Sequence, residues 1–139
     1  MNRVGGPDAG QTLRSETLID EVASDAVLEK AYRWLCERRK RYWHNNDVWT
    51  LRWRWAQIKP QVQSELLSGR YRFEAMDMIP DSPDEVALWT SRDALVLKAL
   101  AIVLTRHLAP RLPKTCYHLM GNGGSKAAVR YVVSRIAWP

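Results

Sequence analysis

Leu88-Trp89-Thr90-Ser91-Arg92-Asp93-Ala94-Leu95-Val96-Leu97-Lys98-Ala99-Leu100 decides the fold, because the hydrophobic period changes inside it. Val86, Leu88 and Thr90 alternate with their neighbours, the period of a strand; from Arg92 to about Leu108 the apolar residues fall on nearly all sides of a helix. Ser91 is placed to cap that helix, Asp93 supplies a first-turn carboxylate, and Pro110 and Pro113 end it. A strand that feeds a long apolar helix predicts an α+β fold with the helix buried.

Upstream, Tyr71, Phe73 and Ala75 alternate with Arg72, Glu74 and Met76, and Pro80-Asp81-Ser82-Pro83-Asp84 is a turn by composition. Together the two alternations predict one antiparallel β-hairpin, with the register around Met76 to Met78 left open. Further upstream the period is helical. Ser24 is placed to cap a helix in which Val27, Leu28, Ala31, Trp34 and Leu35 share a face, ending near Tyr42 with Arg33, Arg38, Arg39, Lys40 and Arg41 in its last turns. Asn46 can cap a second helix whose stripe runs Val48, Leu51, Trp55, Ile58, Val62 and Leu66 to Gly69, with Pro60 expected to kink or split it. Downstream, the turn Gly121 to Gly124 leads into a last helix with Ala128, Val129, Val132, Val133 and Ile136 facing inward. The reading is α+β, mostly helical with one hairpin. Residues 1–15, polar and glycine-rich, are expected to be a disordered arm, and 16–139 a single partial domain.

A chain of 139 residues is long enough for one domain with a real core. Its net charge of +6 is uneven: residues 1–30 hold three basic and six acidic side chains, and the remainder eighteen and nine. A body with that surplus favours a polyanion such as nucleic acid, since each phosphate neutralised releases condensed counterions. Cys36 and Cys116 stand far apart, which argues against a zinc site or a disulfide framework and suits a reducing cytoplasm. The start of the chain lacks the apolar run of a signal peptide, and the stretch from Ala94 to Leu104 is well under the ~20 residues that cross a bilayer, so no membrane is expected.

Arg52-Trp53-Arg54-Trp55, with Trp34, Trp43 and Trp49 nearby, interleaves cations and aromatics as single-strand nucleic-acid binders do, because bases stack on π-faces while guanidinium groups meet phosphates. The plainer alternative makes the tryptophans core and staple residues between two helices, and Trp55 lies on the apolar stripe. Gly121-Asn122-Gly123-Gly124-Ser125-Lys126 can offer backbone N–H groups to a phosphate at a helix start, although the order Gly-Ser-Lys departs from a Walker A loop; equally it is a plain turn ending in a capping serine. His107 and His118 lack a carboxylate or metal-ligand spacing and read as structural, and Cys116 as a buried thiol. No catalytic or metal-binding residue is assigned.

Three blocks, Leu66-Leu67-Ser68-Gly69-Arg70-Tyr71-Arg72-Phe73, then Trp89 to Lys98, then Cys116-Tyr117-His118 with the glycine turn, resemble in order and spacing the fingers and early palm of bacterial reverse transcriptases, relatives of group II intron and retron enzymes. The likeness covers roughly residues 24–136. It implies a part of an RNA-directed DNA polymerase in which Arg72, Arg92 and Lys98 contact phosphates and Gly123, Gly124, Ser125 and Lys126 lie near the nucleotide or template. Such an enzyme joins a dNTP to a primer 3′ end using two Mg²⁺ ions held by carboxylates about 3.5–4 Å apart. Asp93 is the last Asp or Glu of this chain, so the family's metal-binding Asp and its Tyr-x-Asp-Asp turn are missing, and Asp77 puts an acid in the hairpin.

The expectation is therefore a fragment truncated before the catalytic aspartates, inactive alone and with an uncovered apolar patch. Its partners would be RNA template, DNA primer, dNTP and the missing C-terminal part of the polymerase. Two other readings stay open: a non-catalytic basic nucleic-acid-binding module, and an inert remnant of a mobile element. A helix-turn-helix is disfavoured because Ala109 to Gly124 far exceeds its 3–4-residue turn.

Overall fold

Side-chain caps start the helices where the sequence places them. In the computed structural model, which describes residues 16–79, 86–118 and 121–136, Thr17 and Asp20 form a reciprocal capping box ahead of α1 (Leu18–Val22). Ser24 accepts from the Val27 N–H and opens α2 (Asp25–Arg38). This helix stops a turn short of Tyr42, since Arg39 leaves the helical path and sends its guanidinium inward, where only 5% of the residue stays exposed.

Asn46 accepts from the Val48 N–H and starts α3 (Asp47–Trp53), which passes at Arg54 into α4 (Trp55–Leu67). The apolar stripe is divided as expected, but at Arg54 rather than at Pro60, which lies inside α4. Indole contacts on either side of the break account for its position. Trp49 Nε1 donates to the Trp43 carbonyl, whereas Trp55 stacks on Tyr32 at 4.2 Å and donates to Glu29. Each helix is thus tied to a different neighbour.

The hairpin is shorter than the alternation suggests. β1 (Asp77–Ile79) pairs antiparallel with β2 (Val86–Leu88), with Asp77 opposite Leu88, Met78 opposite Ala87 and Ile79 opposite Val86. Tyr71 to Ala75 form no strand, because the Glu74 N–H donates to Asp93 Oδ2 at 2.9 Å and is not available to a ladder. The turn at Pro80 to Asp84 and the arm 1–15 lie outside the described residues.

Thr90, not Ser91, caps α5 (Ser91–Leu108), accepting from the Asp93 N–H, and Ser91 becomes the first helical residue. Ser91, Asp93, Leu95, Val96, Ala99 and Val103 are buried, while Leu104 and Leu108 are exposed, so one face of this helix is covered rather than all sides. A 3₁₀ turn, Ala109–Arg111, follows through Pro110. The core joins Val22, Val27, Leu28, Ala31 and Leu35 to Val48, Leu51, Val62, Leu66 and the buried face of α5. α2 and α5 run antiparallel, since Arg39 meets Ser91 at one end and Glu21 meets His107 at the other.

The last helix, α6 (Gly124–Ile136), buries nothing among the described residues. Val129, Val132, Val133 and Ile136 are 50–67% exposed, against the inward-facing expectation. Their spacing marks an apolar face but does not say what covers it. The architecture is α+β, mostly helical with one two-stranded antiparallel sheet. Among the described residues no helix is long and apolar enough to cross a membrane.

Candidate nucleic-acid interface

Asp93, buried in the first turn of α5, organises the region that holds the first two basic residues of interest. Its carboxylate accepts from the Tyr71 hydroxyl at 2.6 Å and from the Glu74 N–H at 2.9 Å, and so ties the segment entering the hairpin to the helix leaving it. Burial first, and this bond to Asp93 second, push the Tyr71 hydroxyl far above its usual range and keep it a donor. The Arg92 guanidinium lies 5.4 Å from the Tyr71 ring centroid and donates to Glu65 at 2.8 Å, while its buried Nε finds no partner among the described residues. Arg72 is exposed and donates to the Tyr71 and Gly69 carbonyls. Arg92 thus lies on the Tyr71 ring and lines a cleft of about 260 Å³ with Asp47, Thr50, Glu74 and Ser91, while Arg72, the residue after Tyr71, turns back on the carbonyls of its own segment.

Lys98 is not part of this group. Six residues beyond Arg92 on a 3.6-residue helix, it points about 120° away, and its ammonium sits 4.7 Å from the centroid of the Trp34 ring on α2.

The glycine turn is joined to the block before it. Asn122 Nδ2 donates to the Cys116 carbonyl and the Gly124 N–H to the Tyr117 carbonyl, both at 3.0 Å, so the Gly124 donor is already engaged. Gly123 has φ +85°, and a Cβ there would stand 2.6 Å from that of Ala127, so both backbone and space call for glycine. Ser125 and Lys126 are exposed and, with Val129 and Arg130, line a shallow depression of about 340 Å³.

In the Arg/Trp segment the tryptophans divide. Trp49 and Trp55 are staples; Trp53, at the end of α3, is 90% exposed. The Arg52 guanidinium lies 5.0 Å from the Trp49 ring centroid, and Arg54 Nε donates to Gln57. Trp53 therefore presents an open ring, while the arginines on either side of it in sequence turn to Trp49 and Gln57. His107 is structural, at 2.8 Å from Glu21, and both free thiols are half-buried.

No protein-family model matches the chain, and no curated protein does. Among the described residues no three His, Cys, Asp or Glu side chains are grouped to hold a metal, and both Asp93 oxygens are engaged by Tyr71 and Glu74. The described residues do not fit a two-metal polymerase centre.

Sequence reasoning missed Arg39. It donates to Ser91 Oγ and the Trp89 carbonyl, both at 2.7 Å, and pairs with Asp47 at 3.5 Å. In a run of cations from Arg38 to Arg41 nothing local marks the one that turns inward. The anchoring role of Asp93 left one signal, a carboxylate at the head of an otherwise apolar helix.

Proposed function

We propose that this chain is the fingers and early palm part of a cytoplasmic RNA-directed DNA polymerase, contributing template and dNTP-phosphate contacts while the metal-binding carboxylates lie elsewhere. The observation that carries the reading is the placing of two arginines around the hairpin that precedes α5, Arg72 exposed in the segment that enters it and Arg92 on the Tyr71 ring in the first turn of the helix that leaves it. Cations beside a hairpin are where the resemblance assigns phosphate contacts, and the ordered Cys116-Tyr117-His118 and glycine turn support it further. The work of these residues is electrostatic: Arg72 offers a solvent-facing guanidinium, while Arg92 is partly neutralised by Glu65 and acts by position.

The test is fluorescence anisotropy of a labelled DNA primer annealed to RNA, with and without dNTP. Binding is expected to weaken steeply between about 50 and 200 mM salt, and to tighten with a matching dNTP in the native chain but not in Arg72→Ala. No binding at low salt refutes the reading. A non-catalytic nucleic-acid-binding module is the second reading, favoured by the exposed Trp53 between Arg52 and Arg54. It predicts salt-sensitive binding that ignores both the primer end and the nucleotide.

A further inference from the structure

α2 and α5 leave between them an open groove of about 420 Å³, lined by Lys30, Trp34, Lys98, Ala101, Ile102 and Thr105. On α2, Lys30 and Trp34 are one turn apart; on α5, Lys98, Ala101, Ile102 and Thr105 recur at helical spacing, so the six belong to two facing stripes. Trp34 keeps 40% of its surface in water, although it lies beside the largest helix packing of the fold. The other two cations before His107 on α5 are paired, Arg92 with Glu65 and Arg106 with Glu21. Lys30 and Lys98 pair with no carboxylate among the described residues, and Lys98 has only the Trp34 ring.

A groove with an open indole, two uncompensated ammonium groups and an apolar floor of Ala101 and Ile102 suits a ligand that is planar and anionic at once. We propose that it binds single-stranded nucleic acid, one base stacking on Trp34 and the flanking phosphates held by Lys30 and Lys98. The volume falls within the range of ligand sites, and a base has a π-face whatever its identity, so the contact is sequence-tolerant. Lys98 leaves the ring when the base arrives and exchanges its cation–π contact for a phosphate. Only Thr105 offers a hydroxyl to a base edge, which limits any reading of sequence. The proposal rests on the reading that this chain engages nucleic acid, but not on its being a polymerase, and it puts Lys98 in a second site about 120° around α5 from Arg92.

The test is a titration of the ¹⁵N-labelled chain with oligothymidylate of about ten nucleotides at low salt, following the indole N–H resonances, with Trp34→Phe assigning the Trp34 signal. The Trp34 signal is expected to shift. Trp34→Ala and the pair Lys30→Ala/Lys98→Ala are each expected to weaken binding about tenfold, and Trp34→Phe, which keeps a ring, less. Trp34 and Lys30 are exposed and Lys98 is half-buried outside the core, so these changes leave the core intact. If the oligonucleotide binds while the Trp34 signal stays still and the lysine pair binds as the native chain does, the groove is overturned and the polymerase reading stands. If nothing binds at low salt, both fall.

Discussion

Replacing Arg39 with Met removes a guanidinium whose residue is 5% exposed and leaves three acceptors altered: Ser91 Oγ, the Trp89 carbonyl and the Asp47 carboxylate. Breaking a buried ion pair by deleting one member costs about 3–5 kcal/mol. Two features lower that figure here. The Asp47 side chain is 48% exposed, and its carboxylate keeps the Ser91 N–H at 2.6 Å and the Ser91 hydroxyl at 2.5 Å, so it is not stranded. The Trp89 carbonyl, in contrast, has no other partner among the described residues and forfeits about 1–3 kcal/mol if water does not reach it. The expected loss is about 2–4 kcal/mol, a large part of the 5–15 kcal/mol that holds a typical domain. Urea unfolding followed at 222 nm measures it as the shift in midpoint at unchanged slope. Arg38→Met, one residue earlier and exposed, is the control and is expected to stay within about 0.5 kcal/mol. A loss below about 1 kcal/mol for Arg39→Met refutes the reasoning, because the guanidinium would then contribute no more than a surface pair.

Acid should find Glu29. The Trp55 indole N–H first, and Lys59 after it, hold its carboxyl below the ordinary 4.5, so the stability it contributes is present above that pH and lost as pH falls through the depressed folded value. Urea midpoints of Glu29→Gln are therefore expected to decline less than those of the native chain between about pH 5 and 3; equal declines would count against the assignment. Gly123→Ala is expected to cost more than Gly121→Ala, because both residues have positive φ but only at position 123 would the new Cβ strike Ala127, at 2.6 Å. Hydrogen exchange in α6 reads this difference, and equal protection in the two variants would contradict it.

Much of the fold was legible because local rules and tertiary packing agree in most places. Ser24 and Asn46 cap the helices they precede, and Val48, Leu51, Val62 and Leu66 all lie in the core. Two of the failures share one cause: a partner distant in sequence takes a group that local pattern assigns elsewhere. Asp93 takes the Glu74 N–H and shortens the hairpin; Asp47 and Arg39 take the Ser91 hydroxyl and leave capping to Thr90. For the candidate site, residue type was legible but grouping was not. Arg92 turns to Tyr71 while Lys98 turns to Trp34, a separation that depends on which face of α5 packs against α2, and Arg72 bonds to carbonyls of its own segment.

Where the core ends has a bearing on how the two sets of candidate contacts work. Every buried apolar side chain among the described residues belongs to the stretch from Val22 to Val103, and none lies beyond the 3₁₀ turn. The glycine turn and α6 are held instead by the bonds to Cys116 and Tyr117 and by a ring contact between Tyr117 and Tyr131 at 6.0 Å. Local opening costs little where few apolar contacts oppose it. Charges fixed on α5 meet a phosphate without first being ordered, whereas Lys126 and Arg130 must pay for the ordering of their helix out of the same interaction. Equal numbers of phosphate contacts therefore yield less net affinity at the glycine turn than at Arg92 or Lys98, unless something covers the apolar face of α6. A partner that buries Val129, Val132, Val133 and Ile136 would raise nucleic-acid affinity at Lys126 without touching it, by removing that cost in advance.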